Sequence, residues 1–297
     1  MAHKVGIIDV GTNTINLLIV DKSGNEFEIL HKNRTGVGLG HSGINNATIK
    51  PPAFQRGIKC LKNYADICNH YQANKILAFG TSALRNAKNA KQFIQEVKQK
   101  SSIDIEVING DKEAELIYKG INLLYNFKEK TVVMDIGGGS TEFILADNNG
   151  IIHKTSLEIG LSRINQNYHF NDPFCKDDIA KIENYLNTSI GNKLDNYKTN
   201  YLIGSSGSFK TFYELLNGQK HPINTCKKIK LDDFIAVLNQ VIQSTYAQRQ
   251  NNPLIEPIRY EMLHIAAFKI KWIINKLNIK HILISPYSLK EGVIFSV

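Results

Sequence analysis

Two short segments end an apolar run on an aspartate and follow it at once with small residues. They are Asp9-Val10-Gly11-Thr12-Asn13-Thr14 and Asp135-Ile136-Gly137-Gly138-Gly139-Ser140-Thr141-Glu142. A strand, a tight turn and a returning strand point successive backbone N–H groups to one side, and glycine lets that concave array approach a phosphate closely. An aspartate at the strand end is then placed to hold Mg²⁺, which takes carboxylate and water oxygens beside phosphate. Either segment alone also reads as an ordinary glycine-rich hairpin turn. As a repeated pair they point to a phosphate chain clamped from both sides.

The elements that must carry these loops repeat as well. Lys4 to Val10 and Ile15 to Val20 read as two strands, followed by a Ser23-Gly24-Asn25 turn and a third strand from Phe27. Pro51 and Pro52 open a helix reaching about Tyr71, with apolar spacing at Phe54, Ile58, Leu61 and Ala65. Strands are expected over 75–79 and 103–108, a helix over 87–100 and another over 111–125. The pattern restarts at Thr131, with an Asp147-Asn148-Asn149-Gly150 turn, so that Asp9 falls on Asp135, Gly11 on Gly137 and Gly24 on Gly150. Leu77-Ala78-Phe79-Gly80-Thr81-Ser82 matches Tyr201-Leu202-Ile203-Gly204-Ser205-Ser206 at nearly the same shift. This order predicts a duplicated α/β domain with facing halves.

Composition narrows the class. The 297 residues are 42% hydrophobic and carry 36 Lys+Arg against 27 Asp+Glu, a net charge of +9. Such a chain can form two ordinary domains and attracts polyanions. Its longest apolar runs, such as Thr131 to Met134, are too short for a bilayer, and Met1-Ala2-His3-Lys4 leads straight into a strand, so a cytoplasmic protein is expected. Cys60, Cys68, Cys175 and Cys226 lie far apart and form no C-x-x-C pair, which argues for free thiols. His264 and Trp272 share an apolar helical face and read as core, and the Lys227-Lys228-Lys230 cluster reads as a solvated face.

Further segments join the aspartate loops in a whole-chain pattern. They are Gly80-Thr81-Ser82-Ala83-Leu84-Arg85-Asn86, Asn109-Gly110-Asp111-Lys112-Glu113-Ala114-Glu115, Gly204-Ser205-Ser206-Gly207-Ser208 and the closing Ser285-Pro286-Tyr287-Ser288-Leu289-Lys290-Glu291-Gly292. In this order they resemble the exopolyphosphatase/guanosine pentaphosphate phosphatase family. The chain departs from the commoner family pattern at Asn16, at Phe79 before Gly80, and at Asn109 with Lys112 between the two acidic residues. The resemblance implies an α/β fold of duplicated ribonuclease-H-like domains, as in the actin/sugar-kinase superfamily, with the active site in the interdomain cleft. The expected domains are 1–124 and 125–287, with a C-terminal helix over about 288–297 packed back on the first. It also implies the short two-domain form, without the extra helical domain of longer relatives, and allows a homodimer.

Carried over by position, the resemblance makes Glu113 the general base, a carboxylate that deprotonates a water for in-line attack. The residues alone leave Glu115 as an equal candidate. Arg85 matches a phosphate-gripping arginine, whose planar fork suits phosphoryl oxygens. Asp135 and Glu142 become the metal carboxylates, with Asp9 assisting, and Mg²⁺ the cofactor. Thr12, Asn13, Gly137, Gly138, Gly139 and Ser140 are expected to cradle phosphate. Gly204, Ser205, Ser206, Gly207 and Ser208 form a third loop at a helix start near Phe209, with Lys210 as a polyanion contact. The expected substrate is inorganic polyphosphate cleaved from its end, with guanosine pentaphosphate second; no membrane or nucleic-acid partner is expected. The alternatives are an ATP-dependent kinase of the same superfamily and a non-catalytic alarmone-binding sensor. The first needs an adenosine pocket that the sequence does not display, and the second needs a lost base or lost metal carboxylates.

Overall fold

The computed structural model describes residues 3–24 and 26–295. The first apolar run is β1 (His3–Val10), which returns as β2 (Thr14–Ser23) and turns again into β3 (Glu26–Gly36). Gly24 holds that second turn at φ 60°, a left-handed conformation open to glycine; Asn25 lies outside the described residues. Helix α1 (Pro51–His70) buries Phe54, Ile58 and Leu61. Then come β4 (Lys75–Gly80), α2 (Ser82–Asn86), α3 (Ala90–Ser101), β5 (Ile105–Val107) and α4 (Gly110–Asn122). The first sheet runs β3-β2-β1-β4-β5, antiparallel over β1 to β3, with β4 parallel to β1 and β5 parallel to β4.

The second half repeats the hairpin as β6 (Thr131–Ile136), β7 (Thr141–Asp147) and β8 (Gly150–Leu157). Helices α5 (Leu161–Asn167) and α6 (Lys176–Ile190) lead to β9 (Tyr201–Ser205) and α7 (Ser206–Asn217). After β10 (Lys227–Ile229) come α8 (Leu231–Ile242), α9 (Tyr246–Asn251), α10 (Leu263–Lys276), β11 (His281–Ile284) and α11 (Leu289–Val293). The sheet order, β10-β11-β9-β6-β7-β8, is that of the first sheet with β10 added at the edge. Both halves are therefore ribonuclease-H-like, and the molecule is the duplicated α/β fold.

The duplication extends to single hydrogen bonds. Gly11 N donates to Thr14 O and Gly137 N to Ser140 O, each at 3.0 Å. Asp9 pairs across the hairpin with Asn16, and Asp135 with Glu142. The parallel strand is slid by two residues: Val10 faces Gly80, whereas Met134 faces Gly204. A slip of two preserves which face each side chain occupies.

One core fills each half, and a third cluster joins them, from Val5 and Ile7 of β1 through Ile117 of α4 to Val133 and Val293. Helix α11 reaches α4 by a close backbone crossing: a Cβ on Gly120 would lie 2.0 Å from Ser288 O, and one on Gly292 1.8 Å from Leu116 O. Residues 296 and 297 of the expected C-terminal helix lie outside the described residues.

Some expectations are corrected. The helix expected over 87–100 begins at Ala90, and Ser82–Asn86 forms its own short helix. Asn89 is the N-cap of the longer helix, and its side-chain amide is held by the Ile49 backbone, which donates N–H to Oδ1 and accepts from Nδ2. The lysine cluster is solvated as expected, with Lys228 and Lys230 exposed, and Lys227 to Ile229 also pair with β11 as an edge strand. Trp272 is only half-buried, with Lys276 over its ring. His264 is buried against Phe174, and the four cysteines are free. No described helix is long and apolar enough to cross a membrane.

Candidate active site

Both hairpin loops open onto one cavity of about 460 Å³ between the halves. The first half contributes Asp9, Thr12, Asn13 and Glu113; the second contributes Asp135, the Gly137–Ser140 loop and Glu142. The loops touch directly. A Cβ on Gly138 would sit 2.7 Å from Asn13 Nδ2, and one on Gly139 2.4 Å from Ser82 Oγ. Glycine allows that approach without displacing the facing side chains.

Glu113 sits in the first turn of α4, whose N-cap Asn109 accepts Lys112 N at 2.8 Å. This cap fixes the turn, and two residues apart on a helix the two candidate carboxylates point different ways. Glu113 is buried and lines the cavity, whereas Glu115 is ion-paired with Lys154 outside it. Burial, then Glu142, pushes the Glu113 carboxyl well up, against the pull of Arg85. The nearby acids are also held high. Asp9 is raised to about 6, chiefly by burial against a 2.9 Å hydrogen bond from Asn16 Nδ2. Glu142 is raised by burial and Asp135, and it accepts Ser156 Oγ at 2.7 Å. Asp135 is raised by burial, while hydroxyls of Ser205 and Ser288 donate to its Oδ2.

Among the described residues, no three His, Cys, Asp or Glu side chains form a ready-made cation cage. Mg²⁺ seldom needs one, since it binds through one or two carboxylates completed by water and substrate phosphate. Asp135 and Glu142, paired across β6 and β7, fit that requirement, with Asp9 facing them from β1. Burial and mutual repulsion raise these carboxylates together, and a cation placed among them would relieve both.

At the third loop, Ser206, Gly207, Ser208 and Lys210 line the cavity, but Gly204 and Ser205 do not. Those two are buried in β9, where Ser205 serves Asp135, so they are not contact residues in this structure. Helix α7 starts at Ser206, three residues before the expected Phe209. Ser206 adopts φ 82°, rare for a residue with a side chain, and its buried Oγ has no partner. An orphaned hydroxyl at a helix N-terminus suits an anion. Lys210 also pairs with Glu214 at 3.7 Å.

Arg85 is placed differently from its expected role. Its guanidinium does not line the cavity; Nη1 holds Glu113 Oε2 at 2.9 Å and Ile108 O at 3.1 Å, and Nη2 holds Glu158 Oε1 at 3.3 Å.

Several cavity residues belong to none of the expected site positions. Arg34 of β3 and Arg259 share the Glu256 carboxylate across the cleft, and Arg259 is pushed down to about 10 by burial and then by Arg34. Two guanidiniums on one carboxylate leave the lip positive. Lys32, Ser288 and Lys290 also line the cavity. Lys269, fully buried on α10, donates to Thr141 Oγ1 and Ile159 O behind the glycine loop, and burial lowers it to about 7. No periodicity marks these residues; only the motif Ser285 to Gly292 could have flagged Ser288 and Lys290.

The sequence model of the Ppx/GppA phosphatase family matches residues 18–297. The chain belongs to this family. It is similar to the crystal structure of an exopolyphosphatase from Cytophaga hutchinsonii, with TM-score 0.95 and 33% identity over 99% of this chain and 97% of that one. It is 33% identical over 240 residues to a bifunctional 3-dehydroquinate synthase/phosphatase of Fusobacterium nucleatum, covering 76% of this chain and 36% of that protein. It is 28% identical to a guanosine-5'-triphosphate,3'-diphosphate pyrophosphatase of Vibrio cholerae, covering 98% of this chain and 58% of the relative. The chain thus spans less than two thirds of the length of each of these last two relatives.

Proposed function

We propose that this Ppx/GppA member hydrolyses the terminal phosphoanhydride of a phosphate chain, inorganic polyphosphate first and guanosine pentaphosphate second. The observation that carries the reading is Glu113: a buried carboxylate that shares one cavity with two glycine-type loops and the Asp135–Glu142 pair. The named relatives support the same chemistry.

Phosphoryl transfer depends mainly on positioning and charge stabilisation. The N–H groups of the Gly137–Ser140 loop and the start of α7 receive phosphoryl oxygens, and Arg34, Arg259 and Lys210 hold phosphates further along the chain. Mg²⁺ bound at Asp135 and Glu142, with Asp9 beside them, would supply neutralisation of the terminal phosphoryl charge. Glu113 takes the proton of the attacking water, a task suited to a carboxylate raised toward neutrality. Arg85 orients Glu113 and reaches a phosphoryl oxygen only by loosening one of its present bonds.

The test is phosphate release measured side by side on polyphosphate and guanosine pentaphosphate, with ATP as control. Release from the first two and little from ATP supports the reading. Release from none of them, with the protein folded, overturns it.

A further inference from the structure

Glu158 follows β8 and reaches across the cleft to α2 of the first half. Its Oε2 accepts Ser82 Oγ at 2.9 Å and Asn86 Nδ2 at 3.0 Å, and its Oε1 accepts Arg85 Nη2 at 3.3 Å. From its own half, Arg163 Nη2 binds the same carboxylate at 2.5 Å and gives Nε to Gly139 O at 2.8 Å. Helix α2 has five residues. Helices so short do not hold themselves and take their geometry from tertiary anchors. Three of its five side chains end on Glu158, and the other two, Ala83 and Leu84, are buried. Burial pushes the Glu158 carboxyl up, but Arg163, Ser82, Asn86 and Arg85 outweigh it and hold it below the ordinary glutamate value. The charge is therefore kept, although the side chain is 42% exposed.

We propose that Glu158 is a positioning residue for the reaction: it holds Arg85 from across the cleft, so that the guanidinium stays aligned on Glu113 while the halves are closed. This rests on the roles given above to Arg85 and Glu113. With Glu158 neutral, Arg85 loses its second carboxylate, the cross-cleft anchor of α2 is weakened, and the base is left misaligned. Arg34, Arg259 and Lys210, which hold the rest of the phosphate chain, pair with other carboxylates, so the loss falls on kcat more than on KM.

A double-mutant cycle tests this, using Glu158→Gln, Arg85→Ala, the pair and the parent, with polyphosphate as substrate. Glu158→Gln keeps the shape and one acceptor oxygen. It is expected to lower kcat about tenfold with KM changed less than about twofold, and to cost under about twofold more in the Arg85→Ala background. The melting temperatures of the four proteins read the same contact without activity, and the double variant should lose less than the sum of the single losses. A fully active Glu158→Gln, or equal losses in both backgrounds, overturns the proposal. If the parent releases no phosphate, the function proposed above fails, and the melting cycle alone decides whether Glu158 holds Arg85: additive losses overturn it.

Discussion

Arg85 Nη1 lies 2.9 Å from Glu113 Oε2, so the residue expected to grip phosphate and the residue expected to activate water are bonded to each other. In a half-buried setting such a pair is a competition. A phosphoryl group that draws the guanidinium away leaves Glu113 with less to keep it ionised, and its basicity rises as substrate arrives. Acid and base assignments in this cleft therefore belong to a coupled group, not to single residues.

Metal removal is the first consequence. Asp135 and Glu142 face each other across a hairpin with no cationic partner of their own in hydrogen-bond contact among the described residues. Chelation should abolish phosphate release, and added Mg²⁺ should restore it. Asp135→Ala should be inactive at ordinary Mg²⁺ concentrations. Full activity after exhaustive chelation would contradict the metal assignment.

The raised carboxylates make a signed prediction for stability. Asp9 keeps its proton to about pH 6 in the folded state, against 3.8 in an unfolded chain. Its contribution is thus present at low pH and is lost as pH rises through that window; Glu113, Asp135 and Glu142 act in the same direction. Mg²⁺ requires the ionised forms. Thermal melts with and without Mg²⁺ should show a larger rise at pH 8 than at pH 5. An equal rise at both would mean the cation binds elsewhere.

The cleft's cations predict a salt response. Arg34, Arg259, Lys210, Lys32 and Lys290 all line the cavity. Each contact to a polyanion releases counterions. KM for polyphosphate should therefore climb steeply between about 50 and 200 mM salt, while kcat changes little. Arg259→Ala should raise KM and flatten that salt slope. A salt-independent KM would remove these residues from substrate binding.

Much of this was legible in the chain itself. The two aspartate loops are local patterns that survive being read in one dimension, and their repeat shows when the chain is laid on itself, whereas only the family resemblance separated Glu113 from Glu115. What escaped is contact between halves. Arg34 and Arg259 meet on Glu256 although far apart in sequence, and Glu158 belongs to no motif and gains its partners only because α2 lies against it. Lys269 hid for the opposite reason, since a lysine on an apolar helical face gives no sign that it is buried. Gly204 and Ser205 repeated the Gly80–Thr81 pattern, but β9 turns them into the sheet wall and away from the cavity.

Glu113 decides the account. Glu113→Gln keeps the side chain's shape and removes its capacity to accept a proton, while the loops and the carboxylate pair stay in place. Turnover of polyphosphate should fall by at least about a hundredfold, the low end for loss of a general base, with substrate binding retained. Turnover near that of the parent would show that Glu113 is not the base.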